Sequence, residues 1–216
     1  SKSKFIKNIK ISKKYIKDGD IFQVVPSHRF SANYNSTGKK LYQVLRKTNP
    51  SPFLYYFNLP NFNIVGSSPE ILVRLRDNII TIRPIAGTRP RGKNRAQDIS
   101  YEKELLRDKK EISEHLMLLD LGRNDVGRVA KKGSIKVTSS FTVERYSHVM
   151  HIVSNVQGII KNGITPIDAL MAGFPAGTVT GAPKIRAMQI IDELEDSKRG
   201  IYAGGIGYIS PNGDMD

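Results

Sequence analysis

The sequence predicts an α+β fold in which antiparallel hairpins are covered by helices, on three observations. Short β-branched and aromatic segments outnumber long helical ones. Ile71 to Leu75 and Ile79 to Ile82 flank Arg76-Asp77-Asn78, a hairpin signal with Ile71, Val73 and Leu75 alternating. No regular strand–helix–strand alternation is present, which argues against a doubly wound parallel sheet.

Taken in order, residues 4–18 read as a helix with Phe5, Ile9 and Ile16 on one face and Gly19 as its stop. Ile21 to Ser31 has strand character, with Pro26 marking an edge or a bulge. Leu41 to Arg46 is a short helix, ended before Asn49-Pro50-Ser51-Pro52, and 53–57 and 62–66 are strands. Residues 100–121 form the best helix, with Leu105, Ile112, Leu116 and Leu119 on one side and Gly122 as its end. Thr165-Pro166-Ile167-Asp168 starts a helix with a cap, a first-position proline and a first-turn acid. A loop from Gly173 to Ala182 leads into a helix from Pro183 to about Glu195, then a glycine-rich strand from Ile201 to Ser210. Pro211-Asn212-Gly213-Asp214 is a turn after which a return strand should begin, so the chain reads as truncated.

The chain has 216 residues, no cysteine and a formal net charge of +14. Without cysteine there are no disulfides, zinc-thiolate sites or thiol nucleophiles, and a reducing, cytoplasmic setting is expected. No apolar run reaches the roughly 18 residues of a membrane span, so no membrane association is expected. Charge alone suits nucleic acid or a small polyanionic substrate. Aromatics do not interleave with the basic runs, and no helix-turn-helix or zinc-finger motif is present, so nucleic acid binding is not expected.

Several segments hold residues that could carry chemistry. Glu104, Asp108 and Glu111 share one stripe of the 100–121 helix, with Glu114 a turn further on. They are either a cation site or a solvated face paired with Lys103, Arg107 and Lys110. Glu70, after Gly66-Ser67-Ser68-Pro69, is a turn acid or a partly desolvated general acid. Gly87 and Thr88, within Pro84 to Gly92, form a structural loop or an anion cradle. Gly177 to Lys184 enters a helix but fails the Walker A spacing, so no nucleotide is implied. His115, His148 and His151 are potential acid–base groups or structural histidines.

Together these segments resemble the chorismate-utilising enzymes, and within them the large subunit (component I) of anthranilate synthase. The resemblance rests on GDIFQVVPS at 19–27, NPSPFLYYF at 49–57, GSSPE at 66–70 and PIAGTRPRG at 84–92. It continues through KEISEHLMLLDLGRNDVGRV at 110–129, VERYSHVMH at 143–151, GTVTGAPKIRAMQII at 177–191 and GGIGY at 204–208, in the family's order.

The resemblance implies a fold of two antiparallel β-sheets forming a core wrapped by helices, here truncated at both ends. It implies conversion of chorismate and ammonia to anthranilate and pyruvate with magnesium (Mg²⁺), the first step of tryptophan synthesis. The ammonia comes from a glutamine amidotransferase subunit, component II, in a hetero-oligomer. Carried over by motif, Glu70 is the acid near the departing hydroxyl. Glu114 is a Mg²⁺ ligand, with Glu111 a direct or water-mediated neighbour. Gly87, Thr88 and Tyr202 contact substrate. His151 and Thr178 are active-site residues, His151 as proton acceptor in pyruvate elimination. Pro52, Phe53 and Leu54 match part of a tryptophan feedback site. Gln23 stands where isochorismate-forming relatives carry a water-activating lysine, which favours ammonia. Ala86 stands where many aminodeoxychorismate synthases carry a lysine, which favours anthranilate. On the same resemblance, the family's N-terminal tryptophan-site region is expected to lie outside this sequence. So is its C-terminal segment, with a substrate-carboxylate arginine, a glycine-rich loop and a further Mg²⁺-binding glutamate. Full activity is therefore not expected of this chain by itself. The alternatives are aminodeoxychorismate synthase component I, a non-enzymatic basic nucleic-acid-binding module, or a gene fragment without function of its own.

Overall fold

The computed structural model describes residues 1–216. α1 (Lys2–Lys17) packs through Ile11, Ser12 and Tyr15 onto Ile21, Ile190 and Leu194. This is not the expected Phe5–Ile9–Ile16 face, since Phe5 and Ile16 stay exposed. Ser12 takes a core position because its hydroxyl donates to the Asn8 carbonyl at 2.9 Å, which a reading of hydrophobicity alone misses. The expected strand from Ile21 to Ser31 shrinks to β1 (Gln23–Val24), which pairs antiparallel with Gly181–Ala182. α2 (Gly38–Thr48), capped by Thr37, lies on the hairpin of β2 (Phe53–Asn58) and β3 (Asn63–Ser68), paired from Phe53↔Ser68 to Asn58↔Asn63. No residue from 22 to 70 is buried.

β4 (Arg74–Arg76) and β5 (Ile79–Ile82) form the expected hairpin. Its two central residues, Asp77 at φ 50° and Asn78 at φ 61°, are both left-handed, the conformation a two-residue turn needs to match strand twist. β6 (Ile85–Pro90) follows, then α3 (Arg95–Leu105) and α4 (Lys109–Val129). The single helix expected over 100–121 is therefore two. Asp108 leaves the helix to cap α4, accepting from the Lys110 and Glu111 amides at 3.0 and 3.3 Å. The break shifts the phase of the apolar stripe, so Leu105 and Leu119 are buried while Leu116 is exposed. Gly122 does not end α4. It sits mid-helix where an added Cβ would come within 3.1 Å of Pro84, so glycine there permits the helix to lie close over the sheet.

β7 (Lys136–Arg145) and β8 (Val149–Ile159) are the longest strands. α5 (Pro166–Gly173) opens with the expected capping box of Thr165 and Asp168. α6 (Gly177–Thr180), β9 (Gly181–Ala182) and α7 (Lys184–Leu194) complete the elements. Residues 201–210 form no continuous strand, being a turn at 201–203 and then irregular, but the chain does reverse at 211–214, with an isolated bridge between Ile209 and Met215 and with Tyr208 and Asp216 exchanging backbone hydrogen bonds at 2.9 and 3.1 Å.

β8 organises the main sheet. β5 and β6 lie end to end along one edge, pairing Ile82↔Val156 and Ile85↔Val153, and β7 lies along the other. α4 and α5 cover this sheet. Leu119, Val126, Ala169 and Ala172 pack against Val73, Ile80, Ile82 and Val156.

His115 of α4 is fully buried and spans the layers, with Nδ1 3.1 Å from the Ala86 carbonyl and Nε2 2.6 Å from Ser154 Oγ. Its Nδ1–H donates to Ala86. The Ser154 hydroxyl donates to Nε2 and accepts from the Phe141 amide at 3.1 Å. Burial holds the imidazole pKa below its ordinary value, as a neutral ring in this network requires. His115 is therefore structural. Ser154→Ala would leave two buried partners unpaired, and we expect a loss of about 2–3 kcal/mol, read by urea unfolding of the full-length protein.

Candidate active site

Three hydrogen-bonded side-chain pairs, Glu70–Thr178, Gln23–Glu114 and Thr88–His151, form the candidate site. Glu70 follows β3, its amide donating to Ser68 Oγ at 3.2 Å. Thr178, in the single turn of α6, donates its hydroxyl to Glu70 at 3.1 Å to Oε1 and 3.3 Å to Oε2. A small cleft of about 30 Å³ adjoins the pair, lined also by Arg83, Leu118, Leu121 and Asp125. Desolvation pushes the Glu70 pKa up to about 7, with the Thr178 hydrogen bond opposing it. At neutral pH a substantial fraction of Glu70 therefore carries a proton it can donate.

Glu111 and Glu114 stand one turn apart on α4, eleven residues or more before Asp125, so the helix spans roughly 16 Å of the site from Glu114 to Asp125. Gln23 of β1 donates Nε2–H to Glu114 Oε1 at 3.0 Å. That bond orients the amide and leaves Gln23 Oε1 buried without a donor. Glu111 lies 3.7 Å from the Arg89 guanidinium. The acids of the stripe do not pair with Lys103, Arg107 or Lys110. Glu104 and Asp108 both bind Arg89, at 2.9 and 2.7 Å. Two half-buried carboxylates offer the hard oxygen donors that Mg²⁺ takes alongside water and substrate oxygens. No group of three or more His, Cys, Asp or Glu side chains forms a complete cage, which Mg²⁺ does not require.

Thr88 Oγ1 and His151 Nδ1 are 2.9 Å apart, brought together where β6 pairs with β8. Between Ala86 and Thr88 the register shifts at Gly87, whose φ of +84° and closeness to Ile152, 2.9 Å from an added Cβ, exclude other residues. Burial lowers the His151 pKa, so the ring is neutral and able to accept a proton. Tyr146 packs against it at 5.5 Å between ring centroids and donates to Glu144 at 2.9 Å. Arg83 holds the other Glu144 oxygen. Burial and Glu144 push the Tyr146 pKa up to about 12, and the Glu70 charge adds to that rise, so Tyr146 stands within electrostatic reach of Glu70.

Sequence reading missed this Arg83–Glu144–Tyr146 support, as well as Arg89 and the buried Lys184–Asp125 pair. Lys184 Nζ lies 2.7 Å from Asp125 and 2.8 Å from the Gly173 carbonyl. Burial lowers Lys184 and raises Asp125, and their mutual bond opposes both shifts. The Gly177-to-Lys184 segment is thus pinned by its lysine. Tyr202 lies elsewhere, exposed beneath the Arg199 guanidinium at 5.3 Å in a cleft shared with Ser27, His28 and Glu195. Pro52 precedes β2, which begins at Phe53 and Leu54, and these pair with Ser68 and Ser67 of β3, two and three residues before Glu70.

A profile of the family described as chorismate binding enzyme matches residues 1–216. The chain belongs to the chorismate-binding enzyme family. Among curated members, the anthranilate synthase component 1 of Cereibacter sphaeroides is 62% identical over 205 residues, covering 95% of this chain and 41% of that protein. Anthranilate synthase component I from Streptococcus pneumoniae superposes with a TM-score of 0.92 at 46% identity, over 100% of this chain and 47% of that one. The menaquinone-specific isochorismate synthase of Escherichia coli shares the fold, with a TM-score of 0.87 at 23% identity over 100% of this chain and 50% of that one. The chain thus spans about half or less of the length of these relatives. The chorismate-binding fold and the mixed α+β class expected from the sequence are both borne out, and no helix is long and apolar enough to cross a membrane.

Two pH-dependent outcomes follow from Glu70. Its folded pKa is above the ordinary carboxylate value, so it contributes a stability that falls as pH rises from about 4.5 to about 7. Glu70→Gln should therefore melt higher than the parent at pH 8, with the difference closing by pH 4. Thr178→Val removes the bond that lowers the pKa, and should move the Glu70 titration upward when followed by carboxyl NMR.

Proposed function

We propose that this chain carries the chorismate site of an anthranilate synthase component I, which converts chorismate and ammonia to anthranilate and pyruvate in tryptophan synthesis. The supporting observation is Glu70, a desolvated carboxyl with a pKa of about 7, hydrogen-bonded to Thr178 beside a cleft. Loss of a ring hydroxyl needs a proton donor at neutral pH, and Glu70 fits that role. Neutral His151, fixed by Thr88 and packed by Tyr146, fits as proton acceptor in pyruvate elimination.

Gln23 supports ammonia as the nucleophile. Held by Glu114, it offers a buried carbonyl oxygen that accepts from an N–H, and it has no titratable amine to activate water. Ala86 likewise offers no amine, which favours anthranilate over the aminodeoxychorismate reading. Glu114, with Glu111 nearby, would hold Mg²⁺, which when bound screens a substrate carboxylate against the acids of α4. Gly87 and Thr88 are the proposed substrate cradle, and Tyr202 is kept as a substrate contact. Pro52, Phe53 and Leu54 are the proposed tryptophan-responsive segment. A glutamine amidotransferase subunit supplies the ammonia, in the cytoplasm.

The test uses the full-length protein supplied with chorismate, Mg²⁺ and ammonium, the aromatic product being identified by mass and fluorescence. Anthranilate is expected; isochorismate or aminodeoxychorismate would overturn the Gln23 or the Ala86 argument respectively. Glu70→Gln should lower kcat by roughly 10²–10⁴-fold with a small change in chorismate KM, the range general acid catalysis supplies. Glu114→Ala should abolish activity together with its Mg²⁺ dependence.

A further inference from the structure

Arg89 is the one cation in ion-pair contact with the acids at the start of α4. Its Nε meets Glu104 at 2.9 Å and its Nη2 meets Asp108 at 2.7 Å. Its Nη1 donates to the Thr88 carbonyl at 2.9 Å and stands 3.7 Å from Glu111. The side chain is 17% exposed, and a guanidinium stays protonated at any physiological pH. Glu104 comes from α3, Asp108 from the junction and Glu111 from α4, so a single residue of β6 ties all three together. The bonds are graded. Glu104 and Asp108 are hydrogen-bonded, while Glu111 is held by charge alone at a distance too long for a hydrogen bond. Three carboxylates against one guanidinium leave excess negative charge that begins one helical turn from Glu114, and clustered carboxylates draw cations unless one is already resident.

We propose that Arg89 is a positioning residue, a resident cation that occupies the acidic stripe, keeps Glu111 from binding a metal directly and confines the divalent site to one ion on Glu114. The inference rests on the proposed Mg²⁺ site. It predicts effects of opposite sign from two substitutions. Arg89→Gln frees Glu104, Asp108 and Glu111, so the stripe takes up a second ion. Glu104→Gln, at an exposed position, releases Arg89 from one partner and turns its charge toward Glu111, so the single ion binds more weakly.

The experiment titrates the full-length enzyme with Mn²⁺ and counts bound ions by electron paramagnetic resonance, with circular dichroism confirming the fold of each variant. The parent should bind one ion per chain, Arg89→Gln two, and Arg89→Lys, which keeps the charge, one. Glu104→Gln should bind one ion about threefold more weakly, a small effect of the size exposed charges exert. One ion at unchanged affinity in Arg89→Gln, or unchanged affinity in Glu104→Gln, overturns the proposal, and Glu104→Gln alone decides if Arg89→Gln does not fold. Glu114→Gln separates the two layers of the argument. If the parent's ion survives that change, the metal reading itself falls. If the ion is lost there and the Arg89 and Glu104 variants behave like the parent, only the role of Arg89 falls.

Discussion

The Thr88–His151 pair of the candidate site depends on a strand hydrogen-bonded along both edges. β8 pairs with β5 and β6 on one side and β7 on the other, and one of its faces, from Met150 through Ile152, Ser154 and Val156 to Gly158, is buried throughout. That double constraint fixes His151 opposite Thr88 and aims Ser154 at His115, which reaches across to the Ala86 carbonyl. The bulge at Gly87 is therefore braced from behind by the same strand that presents His151 in front. A buried polar network is worth keeping only when every member is satisfied, and here each donor has an acceptor.

Around this scaffold, identical residue types are given different chemistry by their surroundings. Glu70 is desolvated and holds its proton near neutrality, whereas Asp98, accepting from Arg91 and the Gly92 amide, is pulled down to about 2. His115 is sealed between layers and serves packing, while His151 is only half-buried. The acids of α4 divide likewise between Arg89 and Gln23.

The hairpin at 71–82 and the helix start at 165–168 were legible because they are local. Left-handed turn residues and a capping box depend on neighbours within a few positions. β8 was not legible as a strand because its burial alternates while its hydrophobicity does not: Ser154 and Gly158 take buried positions, and Val149, Val153 and Ile159 lie on the other face. The break between α3 and α4 was hidden because Asp108 reads equally well as a helix-surface acid or as a cap, and Arg89, nineteen residues earlier, helps decide it. Of the candidate site, Glu70, Thr88 and His151 stood out as residue types with open alternatives, and their roles, like that of Thr178, were legible only through the motif resemblance. Their pairing, with the supports from Tyr146 and Lys184, is tertiary and leaves no spacing signal.

The hairpin of β2 and β3 contributes no buried side chain, yet it ends two residues before Glu70. A segment with so few buried contacts opens at a lower free energy than the sheet built on β8. Glu70 is thus the end of a lightly held arm, while its partner Thr178 belongs to the segment that Lys184 pins to α4. Because the elevated proton affinity of Glu70 comes from exclusion of water, it depends on that arm staying seated. The acidity of this carboxyl is therefore a property of how the arm is seated as much as of Thr178, the side chain that hydrogen-bonds it.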